Sequence, residues 1–146
     1  MSLNPMIVVR VAFCAALVLA STAGRAAPLA PVSPMSATQF REAVAAETRP
    51  IVVLFYADWA GPSQPLRSAL ARAAVEYRGK ARFVELNVDR TGEAAAQYDI
   101  RGVPTLLLLD HGRSVNSRSG ATSEEELRSW LDAGLDAVSG SPPTEQ

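Results

Sequence analysis

Residues 51–56, Ile-Val-Val-Leu-Phe-Tyr, are apolar at every position and run directly into Ala57-Asp58-Trp59-Ala60-Gly61-Pro62-Ser63 and then a helical pattern. A strand with no polar side has no face to offer water, so it belongs inside a sheet covered on both faces. The helix that follows keeps Leu66, Ala69, Leu70, Ala73, Ala74 and Tyr77 on one stripe. Pro62 and Pro65 are tolerable in it because they fall in its first turn, where backbone amides have no intrahelical acceptor.

The flanking segments fit the same scheme. Ser36 stands three residues before Gln39, the spacing of a capping box, and Phe40, Ala43 and Val44 share one face of the helix it opens. Thr48-Arg49-Pro50 stops that helix. After Gly79-Lys80, residues Ala81 to Val88 alternate like a strand, and Glu93 to Tyr98 reads as a short alanine-rich helix. Gly102-Val103-Pro104 precedes a second strongly apolar strand, Thr105 to Leu109. Asp110-His111-Gly112-Arg113 reads as a tight hairpin turn with Gly112 at positive φ, and Ser114 to Ser119 as a polar edge strand. Ser123 and Glu126 form another capping box before Leu127, Trp130, Leu131 and Leu135. The order predicts an α/β fold: a mixed central sheet, a parallel β-α-β unit plus an antiparallel hairpin, flanked by helices.

The N-terminus reads as an address. Arg10 precedes an unbroken apolar run, Val11 to Ala20, and small residues follow with cleavage expected after Ala23 or Ala26. The run is half the roughly 20 residues that a membrane-spanning helix needs, and Phe13 is too bulky for the residue before a lipidated Cys14. Residues 1–26 are thus expected to be a signal peptide, 27–35 (APLAPVSPM) a proline-rich extended lead-in, 36–137 the folded domain and 138–146 a flexible tail. The exported chain, periplasmic or secreted, is expected to be a monomer with no membrane attachment. With 14 basic and 15 acidic side chains in 146 residues, nucleic acid is not an expected partner. The single Cys and single His exclude an internal disulfide, a Cys-rich zinc or iron–sulfur site and a His cluster, so neither metal nor cofactor is expected. Cleavage would also remove Cys14, the only thiol.

At Trp59-Ala60-Gly61-Pro62-Ser63 the chain resembles the thioredoxin family, whose hallmark is Trp-Cys-Gly-Pro-Cys after a buried strand. The likeness covers about residues 36–137 and includes Tyr98-Asp99-Ile100-Arg101-Gly102, Gly102-Val103-Pro104-Thr105, His111-Gly112 and Gly120. In the family the first cysteine attacks a substrate disulfide and the second resolves the mixed disulfide. The resemblance puts Ala60 and Ser63 at those positions. Alanine has no nucleophile, and a serine hydroxyl forms no disulfide. It also puts Leu54 where many thioredoxins carry a buried Asp, and Glu85 where a Lys is common. A buried unpaired carboxylate is destabilising by several kcal/mol, about what its replacement by Leu would recover.

The resemblance further implies a cis Val103–Pro104 bond beside the Trp59 loop, with an extended peptide pairing along the backbone there. Trp59, Gly61, Pro62, Val103, Pro104 and Gly120 would then form a shallow apolar groove that needs no sulfur. The expected function is a redox-inactive, exported domain that binds a peptide or protein through this groove, in an accessory, chaperone-like or assembly role. A thiol–disulfide oxidoreductase and an inert scaffold are the alternatives. Other constellations carry less: Ser63 lacks an adjacent base, His111 lies in the hairpin turn, Asp58 has no second ligand in sequence reach, and Glu124-Glu125-Glu126 complements a helix dipole.

Overall fold

The computed structural model describes residues 31–140. The signal-peptide reading, residues 27–30 of the lead-in and residues 141–146 of the tail lie outside the described residues. In chain order the elements are β1 (Ser33–Pro34), α1 (Ala37–Ala46), β2 (Ile51–Tyr56), α2 (Ser63–Glu76), β3 (Arg82–Asn87), α3 (Gly92–Gln97), β4 (Thr105–Asp110), β5 (Arg113–Ser119) and α4 (Glu124–Ser139). They build one five-stranded sheet in the order β1-β3-β2-β4-β5. β2 pairs parallel with β3 and antiparallel with β4, and β4 pairs antiparallel with β5, so the sheet is mixed and the fold is α/β.

All six residues of β2 are buried, because alternate side chains enter two different cores. Val52, Leu54 and Tyr56 join Leu66, Leu70, Leu106, Leu108, Leu127, Trp130 and Leu131 under α2 and α4. Ile51, Val53 and Phe55 join Phe40, Val84, Leu86, Ala94, Leu107 and Leu109 under α1 and α3. The continuous apolar run is thus the signature of a strand between two helical layers. Gly134 lets α4 approach the sheet closely: a Cβ there would lie 2.7 Å from Leu108 Cδ2. Capping boxes at Ser36/Gln39 and Ser123/Glu126 open α1 and α4, each pairing a side-chain acceptor with a first-turn amide.

Three details differ from the sequence reading. Ser33–Pro34 is a parallel edge strand on β3 rather than a mere lead-in, with Met35 N–H donating to the Glu85 carbonyl at 3.2 Å. Composition hid it because a two-residue strand with a proline has no periodicity to read. The last helix continues to Ser139, and Val138 packs on the α2/α4 core, so residues 138–139 are not tail. In the hairpin both His111 (φ 48°) and Gly112 (φ 78°) take positive φ, as a two-residue turn between twisted strands requires.

Two side-chain clusters make stability depend on pH. Arg49 donates to Glu47 from Nε at 2.9 Å and from Nη2 at 3.0 Å, which holds that carboxyl down at about 2. Burial, and then its 2.6 Å hydrogen bond to Asp132, push the Tyr77 phenol up to about 12. A depressed acid stabilises above its unfolded value and loses that contribution as pH falls; a raised phenol stabilises below its unfolded value and loses it as pH rises. Unfolding free energy is therefore expected to decline from pH 4.5 toward 2, and again from pH 10 toward 12. Urea titrations across pH check this: Glu47→Gln should flatten the acid limb and Tyr77→Phe the alkaline one.

Candidate functional site

Strand register gathers the candidate residues at one end of the sheet. Tyr56 ends β2 beside Asn87, Thr105 opens β4 beside Phe55, and Ser119 ends β5 beside Thr105. The loop carrying Trp59, Gly61 and Pro62, the Val103–Pro104 segment and Gly120 therefore leave the sheet at the same end. Gly120 N–H donates to the Pro104 carbonyl at 2.9 Å, and the Thr105 hydroxyl donates to the Gly102 carbonyl at 2.7 Å. Gly120 takes a φ of 91°, and the Val103–Pro104 peptide is cis. Exposure is uneven: Trp59 is 71% exposed, Gly61 and Pro62 are exposed, Val103 and Gly120 are half-buried, and Pro104 is buried.

The start of α2 is tight. Ala60 N–H donates to the Ala57 carbonyl at 3.2 Å and Ser63 N–H to the Ala60 carbonyl at 2.9 Å, with Pro62 as a cap that has no side-chain acceptor. Ala60 is buried, and Ser63 is fully buried with its Oγ lacking a hydrogen-bond partner. No base stands by that hydroxyl among the described residues. His111 lies in the β4–β5 turn at the other end of the sheet, with Nδ1 2.9 Å from Asp110. Serine hydrolysis therefore has no support here. An unsatisfied buried hydroxyl is destabilising by about 1–3 kcal/mol, and alanine is the better helix former. Ser63→Ala is expected to raise stability by about 1 kcal/mol, read as a melting temperature several degrees higher.

Beneath the loop, Leu54 is fully buried and Glu85 stands beside it in register. Glu85 faces α2, where Arg67 forms a fork on it at 2.7 and 3.0 Å. The same guanidinium lies 4.1 Å from the centre of the Tyr56 ring. The hydrogen bonds to Glu85 raise the Arg67 pKa further above its ordinary value. Arg67 thus satisfies a carboxylate that only 9% exposure would otherwise leave stranded.

Two residues that the sequence reading passed over complete the site. Asp89 accepts a hydrogen bond from Trp59 Nε1 at both carboxylate oxygens, at 3.1 and 3.3 Å. Asn87 bridges the two loops: its Nδ2 donates to Asp58 at 3.3 Å, and its Oδ1 accepts from the Asp89 amide at 2.9 Å. The available signal was Asn87-Val88-Asp89 closing an alternating strand, since Asn bonds the backbone two residues on in turns. The acidic first turn of α4 is occupied internally: Glu124 pairs with Arg72 at 3.1 Å and Glu126 with Arg118 at 2.8 Å. Among the described residues no cluster of three or more His, Cys, Asp or Glu could hold a metal, and no helix is long and apolar enough to cross a membrane.

A mixed five-stranded sheet between two helix pairs, with a Trp-x-Gly-Pro loop opening a helix beside a Val-Pro-Thr segment, defines a particular α/β class. The thioredoxin family model matches residues 31–133. The thioredoxin of Acidithiobacillus ferridurans is 35% identical over 101 residues, 69% of this chain and 94% of that protein. The thioredoxins of Synechocystis sp. (34% over 98 residues; 67% and 92%) and Pseudomonas aeruginosa (32% over 96; 66% and 89%) are similar as well. This chain belongs to the thioredoxin family.

Proposed function

We propose that this protein is an exported thioredoxin-family domain that has given up disulfide exchange and binds a peptide or protein segment at the Trp59/Pro104 end of its sheet. One observation carries the reading: the sole cysteine of the chain is Cys14, and positions 60 and 63, where the family motif has its cysteines, hold Ala60 and Ser63. Disulfide exchange proceeds through a thiolate and a mixed disulfide, and this loop offers neither. What the loop retains is apolar, accessible surface at Trp59, at the same end of the sheet as half-buried Val103, whose backbone the family resemblance offers to an extended segment. The segment Val11 to Ala20 behind Arg10 supports export.

Insulin reduction with dithiothreitol tests the loss of exchange. The processed protein is expected to match the reductant alone, and turnover above that background would restore the oxidoreductase reading. Mass spectrometry of the protein recovered from its host tests export, with a new N-terminus after Ala23 or Ala26 as the expected result. Equal binding of peptide partners by the protein and by Trp59→Ala would leave the loop as scaffold.

A further inference from the structure

Resting on the peptide-binding reading above, we infer that the segment this site takes is basic, and that an arginine side chain of the partner lies across the Trp59 indole between Asp58 and Asp89. Trp59 is the most exposed large apolar side chain among the described residues, yet it is not loose. Both oxygens of Asp89 hold its Nε1–H, which fixes the ring while leaving it 71% open to solvent. Pinned aromatic surface is a ready platform, because little side-chain freedom remains to be lost on binding.

Charge selects the occupant. Asp58 and Asp89 are both exposed, and neither forms an ion pair among the described residues, although Glu47, Glu76, Glu85, Glu93, Asp99 and Glu124 all do. Arg67 acts on Asp58 through space, but its guanidinium hydrogen bonds go to Glu85, so among the described residues no cation is bonded to either aspartate. Arg101 is 3.1 Å from Asp99, and Arg90 lines a hollow with Ser36, Gln39, Tyr56 and Asn87 and forms no ion pair with Asp58 or Asp89 among the described residues. Asn87 ties the two loops together, holding the Asp58 carboxylate through Nδ2 and the Asp89 backbone amide through Oδ1, while Asp89 itself holds the indole. A guanidinium is planar, stacks on an aromatic face and is weakly hydrated, so it fits this combination better than an ammonium. A negatively charged segment would meet two exposed carboxylates that no ion pair among the described residues neutralises.

Binding is measured with three capped, otherwise identical extended peptides bearing Arg, Gln or Glu at the centre, followed by amide and indole NMR. The two indole Nε1–H signals, Trp59 and buried Trp130, separate site from core. The Arg peptide is expected to move the Trp59 and Gly120 signals and to bind about two- to fivefold more tightly than the Gln peptide. The Glu peptide should bind more weakly still, and added salt should shrink the differences. Asp58→Asn, which leaves the Trp59–Asp89 bond in place, is expected to lose about half of that preference on a logarithmic scale. Equal binding of all three peptides with the Trp59 and Gly120 shifts retained would overturn the basic-partner inference and leave the binding site standing. Absence of shifts with every peptide would overturn both.

Discussion

Ala60→Cys and Ser63→Cys, introduced together, will form an intramolecular disulfide and give the protein insulin-reducing activity well above the background of the reductant alone. The geometry is already present. Ser63 N–H bonds the Ala60 carbonyl at 2.9 Å, a turn that brings the two Cα atoms within about 7 Å, which overlaps the range of about 4.4–6.8 Å that disulfides span. Position 60 precedes α2, whose first amides have no side-chain acceptor and no acidic residue in the first turn. Those amides and the helix dipole favour a thiolate there. A drop of one to two pKa units raises the thiolate fraction at pH 7 by about tenfold or more. The thiol at 60 would attack the insulin disulfide, and the thiol at 63 would displace the reduced product as the pair closes; dithiothreitol would reset it. Ala60→Cys alone should trap mixed disulfides without turnover. A double variant that forms the disulfide yet stays at the background rate would mean that more than sulfur has been lost.

The parts of this molecule legible in its sequence are those dictated by repeating pattern. The run Ile51–Tyr56 announced a doubly covered strand because every residue was apolar, and the Ser36/Gln39 and Ser123/Glu126 pairs announced helix starts through fixed spacing. Ser33–Pro34 and the end of α4 were not legible, since a strand of two residues has no period and Val138 is held by a core residues away in sequence. In the site, Trp59, Gly61, Pro62, Val103, Pro104 and Gly120 could be picked out as motif residues, but their unequal exposure could not. Pro104 is buried, whereas Trp59 two loops away is open. Asp89 was invisible for a different reason: it lies 30 residues from Trp59, and only the parallel register of β2 with β3 brings them together. The Arg67–Glu85 fork likewise depends on α2 crossing over β3, which spacing alone does not encode.

That fork also frames the largest expected loss of stability, Leu54→Asp. Leu54 is fully buried: it lies between Glu85 on β3 and Leu106 on β4, facing α2 and α4. Removing its buried apolar side chain forfeits about 1.5–3 kcal/mol. A carboxylate in its place adds a desolvation penalty of several kcal/mol, and the adjacent Glu85 repels it while Arg67 is already committed. Together these approach the roughly 5–15 kcal/mol that holds a domain folded. The sign of the pH dependence identifies the cause. Burial and the neighbouring carboxylate would hold the introduced group above its unfolded value of about 3.9. Its destabilisation is then smallest at low pH, where it is protonated in both states, and grows as pH rises toward the folded value. Leu54→Asn, similar in shape but without charge, should be destabilised by less and by the same amount at every pH. Urea unfolding of the two variants at pH 5 and pH 8 decides it: a Leu54→Asp protein equally stable at both would mean that the interior beside Glu85 admits water, and that the site's rigid floor is not dry.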